Sequence, residues 1–349
     1  FSLFYMGINL GAFAGPLICS FLGEPRDGAS WVNWHYGFGA AGVGMTLALV
    51  QYVMGQKYLK GVGELKGDNA KPANVASARK NFFLGVVAAL VLIAVTVGLS
   101  RAGIIGLTLQ QFAGVTGIIV SALSVLYFAV VIGFVCKDSI ERRRVALCAL
   151  LFVGAAMFWS GFEQAGSSMN LFAFDHTDRM LGSWEVSAGM LQAVNPLFII
   201  LLAPVMGMFW VWLGSRNPSI PVKFGAGLIL LGAGFLVMAW GSTYVETGQV
   251  GMRWLVATYF LHTIGELCLS PIGLSSVTKL APDRLVGQMM GTWFMGAALG
   301  NLVAGLVAGR IETMPLPELF STVAIIVIIS GVIFLVFFKP IKWLAAGVK

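Results

Sequence analysis

Charge is scarce in this sequence. Lys, Arg, Asp and Glu make up 11% of its 349 residues, where soluble globular domains carry about a quarter. A chain this long could bury an ordinary core, so the deficit excludes a conventional soluble domain and points to lipid as the solvent. Cysteine is also sparse. Cys19, Cys136, Cys148 and Cys268 lie in or beside apolar runs, with neither the spacing of a zinc site nor that of a disulfide framework. They read as small apolar packing residues. The sequence has no Walker loop, no dinucleotide fingerprint and no Ser/His/Asp arrangement, which leaves ATP-driven transport and hydrolase chemistry unsupported. No basic patch is interleaved with aromatics, so the net charge of +7 does not point to nucleic acid. No run alternates as a transmembrane β-strand does. The first residue, Phe1, already stands inside an apolar run, with neither an initiator Met nor a signal peptide before it. The chain therefore reads as lacking a preceding portion.

Apolar residues account for 58% of the chain. Crossing about 30 Å of hydrocarbon takes roughly 20 mostly apolar residues in a helix. Charged and Gly/Pro punctuation delimits ten such runs: 1–22, 35–56, 80–100, 111–136, 145–172, 187–214, 222–242, 252–280, 286–310 and 318–338. Only helices or closed barrels satisfy their backbones in lipid, so these spans are expected to be helices of an all-α integral membrane protein. The basic residues support the count. Of the 22 Lys and Arg, 17 fall in one set of alternate loops and in the tail, which includes Lys57, Lys137, Arg142, Arg216, Lys279 and Lys342. The other set holds five: Arg26, Arg101, Arg179, Arg253 and Arg310. The positive-inside rule then puts the start of the first span and the C-terminus in the cytoplasm, with an even number of helices expected before Phe1 if the original N-terminus is also cytoplasmic. The polar stretch 57–79 reads as a cytoplasmic linker.

Glycine marks helix contacts. Gly296, Gly300, Gly305 and Gly309 make small-xxx-small steps in the ninth span, and Gly225, Gly227, Gly232 and Gly234 line the seventh. Such residues let helix backbones approach closely, either for static packing or as smooth surfaces for moving helices. Pro196, Pro204 and Pro271 are expected to bend or break their helices, as helices around transport sites are often broken.

Two carboxylates are out of place. Glu163 and Glu266 sit well inside apolar spans with no basic residue near in sequence. An unpaired carboxylate there costs several kcal/mol, so each must face water, meet a cation or carry a proton. The plainer reading is a structural carboxyl hydrogen-bonded within the bundle. Trp159 precedes Glu163 by one helical turn, while His262 and Ser270 flank Glu266 by four residues on either side in one polar stripe. His262 is more simply a packing histidine, and a His/Glu pair is too little for a metal site. Asn9 and Asn195 are two further buried amides that either hold a polar substrate backbone or glue helices, and Trp293 is placed mid-membrane where it could line a cavity.

At this point the residues match a family. Phe4-Tyr5-Met6-Gly7-Ile8-Asn9-Leu10-Gly11 resembles the FYxxINxG signature of the proton-dependent oligopeptide transporters, a branch of the major facilitator superfamily. The segments 162–167, 195–198, 265–271 and 290–294 resemble that family's seventh, eighth, tenth and eleventh helices. The resemblance covers nearly the whole chain and implies a major facilitator superfamily fold, with ten transmembrane helices here of an expected 14. On this reading 1–56 are the last two helices of the N-terminal half, 57–79 the linker, 80–136 an inserted pair characteristic of bacterial members, and 137–349 the C-terminal six-helix half. By resemblance, Asn9 and Asn195 would bind the peptide backbone or termini. Glu266, with Ser270 nearby, would face the peptide's positive N-terminus, and Trp159 and Trp293 would line side-chain pockets. Glu163 would take part in proton coupling and gating, paired with a Lys on the missing fourth helix. The family's ExxER motif belongs to its first helix and is the main departure, so this chain alone should not transport.

The resemblance thus implies proton-coupled symport of di- and tripeptides by alternating access, without enzymatic activity. It implies no cofactor beyond the coupling proton, and a functional monomer in the inner membrane of a bacterium. Open alternatives are a non-peptide substrate such as nitrate or a drug-like amide, an integral membrane enzyme or scramblase using Glu266 and His262, and a structural membrane subunit.

Overall fold

The computed structural model describes residues 2–25, 32–59, 71–103, 106 and 108–348. The charge assignments to Arg26, Lys60, Lys66 and Lys349, most of the linker, and the side chains of Phe4 and Tyr5 lie outside the described residues. The architecture is helical: α1 (Ser2–Gly23), α2 (Trp34–Gly55), α3 (Pro72–Arg101), α4 (Leu109–Val130), α5 (Ser139–Phe162), α6 (Ser168–His176), α7 (Val194–Leu213), α8 (Ile220–Ser242), α9 (Arg253–Leu280), α10 (Val286–Ala308), α11 (Leu316–Val336) and the short α12 (Phe338–Leu344). Among the described residues ten segments are long and apolar enough to span a membrane, at the places the apolar runs indicated. Strand structure is confined to two-residue pieces. β1 (Thr177–Asp178) pairs in parallel with β4 (Val250–Gly251), and β2 (Met180–Leu181) pairs antiparallel with β3 (Trp184–Glu185).

By packing, the chain divides into two compact units, 1–41 with 113–349 and, separately, 42–112. The smaller contains most of α2 and all of α3. No residue of α3 is buried, and Phe82, Leu84, Leu90 and Leu92 are all more than half exposed. In a membrane such a surface faces lipid, where an apolar exterior is the stable one. Helix α3 starts at Pro72, well before the apolar run, because Pro fits the first helical turn and the polar segment behind it continues the helix.

In the larger unit α8 lies between α9 and α11. Its glycines explain how. Gly227 and Gly234, seven apart, meet α9: a Cβ at Gly227 would stand 2.8 Å from the Gly265 carbonyl oxygen. Gly225 and Gly232, also seven apart, meet α11: a Cβ at Gly225 would stand 2.8 Å from the Gly331 carbonyl oxygen. Two interleaved small-residue stripes thus let both neighbours approach to backbone distance. Gly296 and Gly300 serve the α5–α10 contact in the same way, whereas Gly305 faces open space. Phe158, Phe172, Phe224, Phe235 and Phe320 fill the centre of this unit and are fully buried.

Helix α5 is capped at its start. The Asp138 side chain accepts from the Glu141 N–H at 2.8 Å, while Glu141 accepts from the Lys137 N–H at 2.8 Å and from Arg284 at 2.6 Å and 2.7 Å. The expectation of broken helices needs correction at all three prolines. Pro196 does not break a helix, because α7 begins at Val194 after a 3₁₀ turn (Ala188–Ala193), so Pro196 lies in the first turn, where no backbone partner is lost. Pro204 and Pro271 lie inside α7 and α9, each of which runs unbroken past it.

Candidate functional site

The sharpest break in the bundle falls at one of the two singled-out carboxylates. Helix α5 ends at Phe162, a 3₁₀ turn covers Glu163–Gly166, and α6 resumes at Ser168 beyond Ser167, whose φ of −129° and ψ of −100° leave the helical region. The buried Gln164 stabilises this break. Its amide donates to the Ser160 carbonyl at 3.3 Å and accepts from the Ser168 hydroxyl at 2.6 Å. In the sequence Gln164 stands inside the segment 162–167 with no signal of its own. Its role is not legible in the sequence because no proline marks the break, and Gly166 within the turn reads equally as a packing glycine. Glu163 is half-buried and has no cation within ion-pair distance among the described residues.

The second carboxylate, Glu266, is 5% exposed on α9 and faces α7. The Asn195 amide donates to its Oε2 at 3.3 Å and to the Thr263 hydroxyl at 2.9 Å. The structure therefore joins two residues that are 71 apart in sequence. Thr263 is fully buried and donates in turn to the Tyr259 carbonyl at 2.7 Å. This threonine was missed, since one hydroxyl in an apolar helix ordinarily bonds back to its own turn.

The polar stripe His262–Glu266–Ser270 is not one continuous face. A step of four residues turns a helix by about 40°, and His262 lies toward α8. It is 1% exposed, its ring 4.8 Å from that of Phe235 and 6.4 Å from that of Phe162, in space that Gly234 leaves open. It is a packing histidine. Ser270 is half-buried one turn beyond Glu266.

Trp159 stacks edge-on against Phe158 and Phe162, with ring centroids at 5.8 Å and 5.2 Å, beside Gly300. Its indole N–H is buried and has no partner among the described residues. Trp293 is 4% exposed, edge-on to Phe224 at 6.3 Å and packed over Gly273. Asn9 is buried on α1, whose packing partners include α7 and the 3₁₀ turn before it.

One further buried acid was not singled out from sequence. Glu24, just past α1, is 3% exposed. Its carboxylate accepts from the backbone N–H groups of Ala188 and Gly189 at 2.6 Å and 2.9 Å and meets Arg179 at 3.4 Å. Arg179 also holds Glu185 at 2.8 Å and the Val186 carbonyl at 2.8 Å. An anion set against free N–H groups at a helix start is electrostatically favoured. The sequence signal was weak because Glu24 lies at a span end, where acids are ordinary.

No group of three or more His, Cys, Asp or Glu side chains among the described residues is arranged to hold a metal. Of the singled-out polar residues, the structure joins Asn195 and Glu266, with Thr263, in one hydrogen-bonded cluster between α7 and α9.

The sequence profile of the POT family matches residues 1–318. The chain belongs to the POT family. Among its POT relatives, the peptide transporter YePEPT of Yersinia enterocolitica subsp. palearctica is 38% identical over 354 residues, covering 98% of this chain and 68% of that protein. A di-/tripeptide transporter of Lactococcus lactis subsp. cremoris is 32% identical over 360 residues, covering 100% of this chain and 69% of its own length. The fold agrees. A crystal structure of a peptide transporter POT in complex with sulfate superposes with a TM-score of 0.80 at 36% identity, over 99% of this chain and 68% of that one. A POT family transporter in complex with a thioalcohol-conjugated peptide gives 0.80 at 28% identity, over 97% of this chain and 68% of that one. The POT family chain described here is accordingly a multi-pass membrane transport protein.

Proposed function

We propose that this protein carries di- and tripeptides across a bacterial inner membrane by proton-coupled symport with alternating access. The observation that carries this reading is the Asn195–Glu266 pair, an amide and a buried carboxylate joined at 3.3 Å between α7 and α9. The Asn195 amide donates to this carboxylate, a hydrogen bond that favours the charged form, and a peptide's amino terminus is a cation of matching chemistry. The named activities of the relatives support the same substrate class.

In this reading Asn9 and Asn195 hold the peptide backbone or termini, Glu266 and Ser270 take its amino terminus, and Trp159 and Trp293 border its side chains. Trp159 contributes an indole N–H that has no protein partner among the described residues. Glu163 stands at a helix break, where protonation state and helix geometry are coupled, and carries the proton. The Glu24 carboxylate, bound to Arg179 and to the two N–H groups before α7, holds α1 against α7 on the side opposite the lysine-rich loops. Alternating access requires this contact to open. The spans 1–56 belong to the first half of the transporter, 80–136 to an inserted pair, and 137–349 to the second half, with the C-terminus in the cytoplasm. The protein works as a monomer and needs no cofactor other than the proton.

The test is competition binding on the full-length protein in detergent. Unlabelled dipeptide should displace a labelled dipeptide, and nitrate should not. Displacement by nitrate, or none by dipeptide, would overturn the substrate assignment.

A further inference from the structure

Hydrogen counting around Asn195 fixes which way its amide points, and the fixing group is Thr263. A threonine hydroxyl has one hydrogen. Thr263 gives that hydrogen to the Tyr259 carbonyl at 2.7 Å. Toward Asn195, at 2.9 Å, its oxygen can therefore only accept. The amide must present its Nδ2 to Thr263, since the opposite orientation would set two acceptor oxygens against each other. The second Nδ2 hydrogen is directed to Glu266 Oε2 at 3.3 Å. With both amide hydrogens committed, Oδ1 is left pointing away from Thr263 and Glu266 as an acceptor.

We infer that Thr263 is a positioning residue that orients Asn195, so that the site offers its ligand acceptors and no amide donor at this point. The inference rests on the peptide-binding reading above and deepens it. A site in which the Asn195 Oδ1 and the Glu266 carboxylate are both acceptors selects a group with several N–H donors. A free amino terminus brings three. An N-acylated peptide brings one N–H and a carbonyl oxygen, which would oppose the same acceptors. Glu266 alone cannot hold this orientation in every state, because a protonated carboxyl could donate to Oδ1 and accept the amide turned over. Thr263 can hold it, since its hydrogen is committed to the Tyr259 carbonyl within α9 and its oxygen only accepts from the amide. The orientation of Asn195 is thereby independent of the charge on Glu266.

The test compares Thr263→Val, which keeps the shape and removes the hydroxyl, with Thr263→Ser, which restores it. Binding and uptake of dialanine and N-acetyl-dialanine are measured for each in the full-length protein. Wild type should prefer the free dipeptide. Thr263→Val should raise the KM for dialanine about tenfold with kcat little changed, and should shrink the preference over the acetylated form. Thr263→Ser should return both toward wild type. Unchanged selectivity in Thr263→Val, or a Ser variant as impaired as the Val variant, overturns the inference. Wild type with no preference for the free amino terminus overturns the peptide-binding reading itself and the inference with it.

Discussion

The Glu24 carboxylate lies 3.4 Å from the Arg179 guanidinium, both nearly out of contact with solvent. The same carboxylate closes on the backbone at Ala188 and Gly189. Removing one partner from a buried, hydrogen-bonded ion pair costs about 3–5 kcal/mol, because the other charge and the freed N–H groups stay buried. Glu24→Ala is therefore expected to lower the melting temperature of the purified protein by several degrees. It should also increase labelling of α1 residues from the side facing Arg179.

The second pair should behave differently. Arg284 bonds Glu141 through two nitrogens, at 2.6 Å and 2.7 Å, yet both side chains are partly exposed, at 35% and 21%. An exposed pair is worth about 0–1 kcal/mol and is screened by salt. Arg284→Ala should cost much less than Glu24→Ala in the same melting assay, and the difference from wild type should shrink at high ionic strength.

Gly227 and Gly265 face each other across α8 and α9 at backbone distance. A valine at 227 has no room and should destabilise by about 1–3 kcal/mol, as overpacking does. Gly305→Ala places a methyl in open space and should be neutral, or stabilising by about 0.5–1 kcal/mol from helix propensity. Thermal unfolding of the two variants in the same lipid–detergent mixture checks the contrast.

Glu266→Gln removes the charge while keeping the shape and a hydrogen-bonding group beside Asn195. Dipeptide affinity should fall by at least about tenfold, or about 1.4 kcal/mol. Competition binding measures it. Trp240→Phe, at the exposed end of α8, serves as the control and should bind as wild type does.

Much of this could be read from the sequence because the bilayer imposes strong rules. Apolar length located the ten spans found among the described residues, and the cost of charge in lipid isolated Glu163 and Glu266. The α8 glycines were legible as contacts, but not as two stripes serving different neighbours, since that division needs the partner helices in place. What stayed hidden depends on long-range pairing. Thr263 gains meaning only when α7 brings Asn195 to it, and Glu24 only when the turn before α7 offers it two N–H groups. Gln164 was hidden for a local reason, because a side-chain amide can brace a helix break that no proline marks.

In the proposed mechanism Glu163 couples proton movement to peptide movement. The most direct test is uptake of a labelled dipeptide into vesicles containing the full-length protein, driven by an imposed proton gradient, with wild type and Glu163→Gln compared. Wild type should accumulate the dipeptide against its gradient. Glu163→Gln should lose that accumulation while still exchanging dipeptide in the absence of a gradient. Gradient-driven accumulation by Glu163→Gln equal to that of wild type would contradict the account.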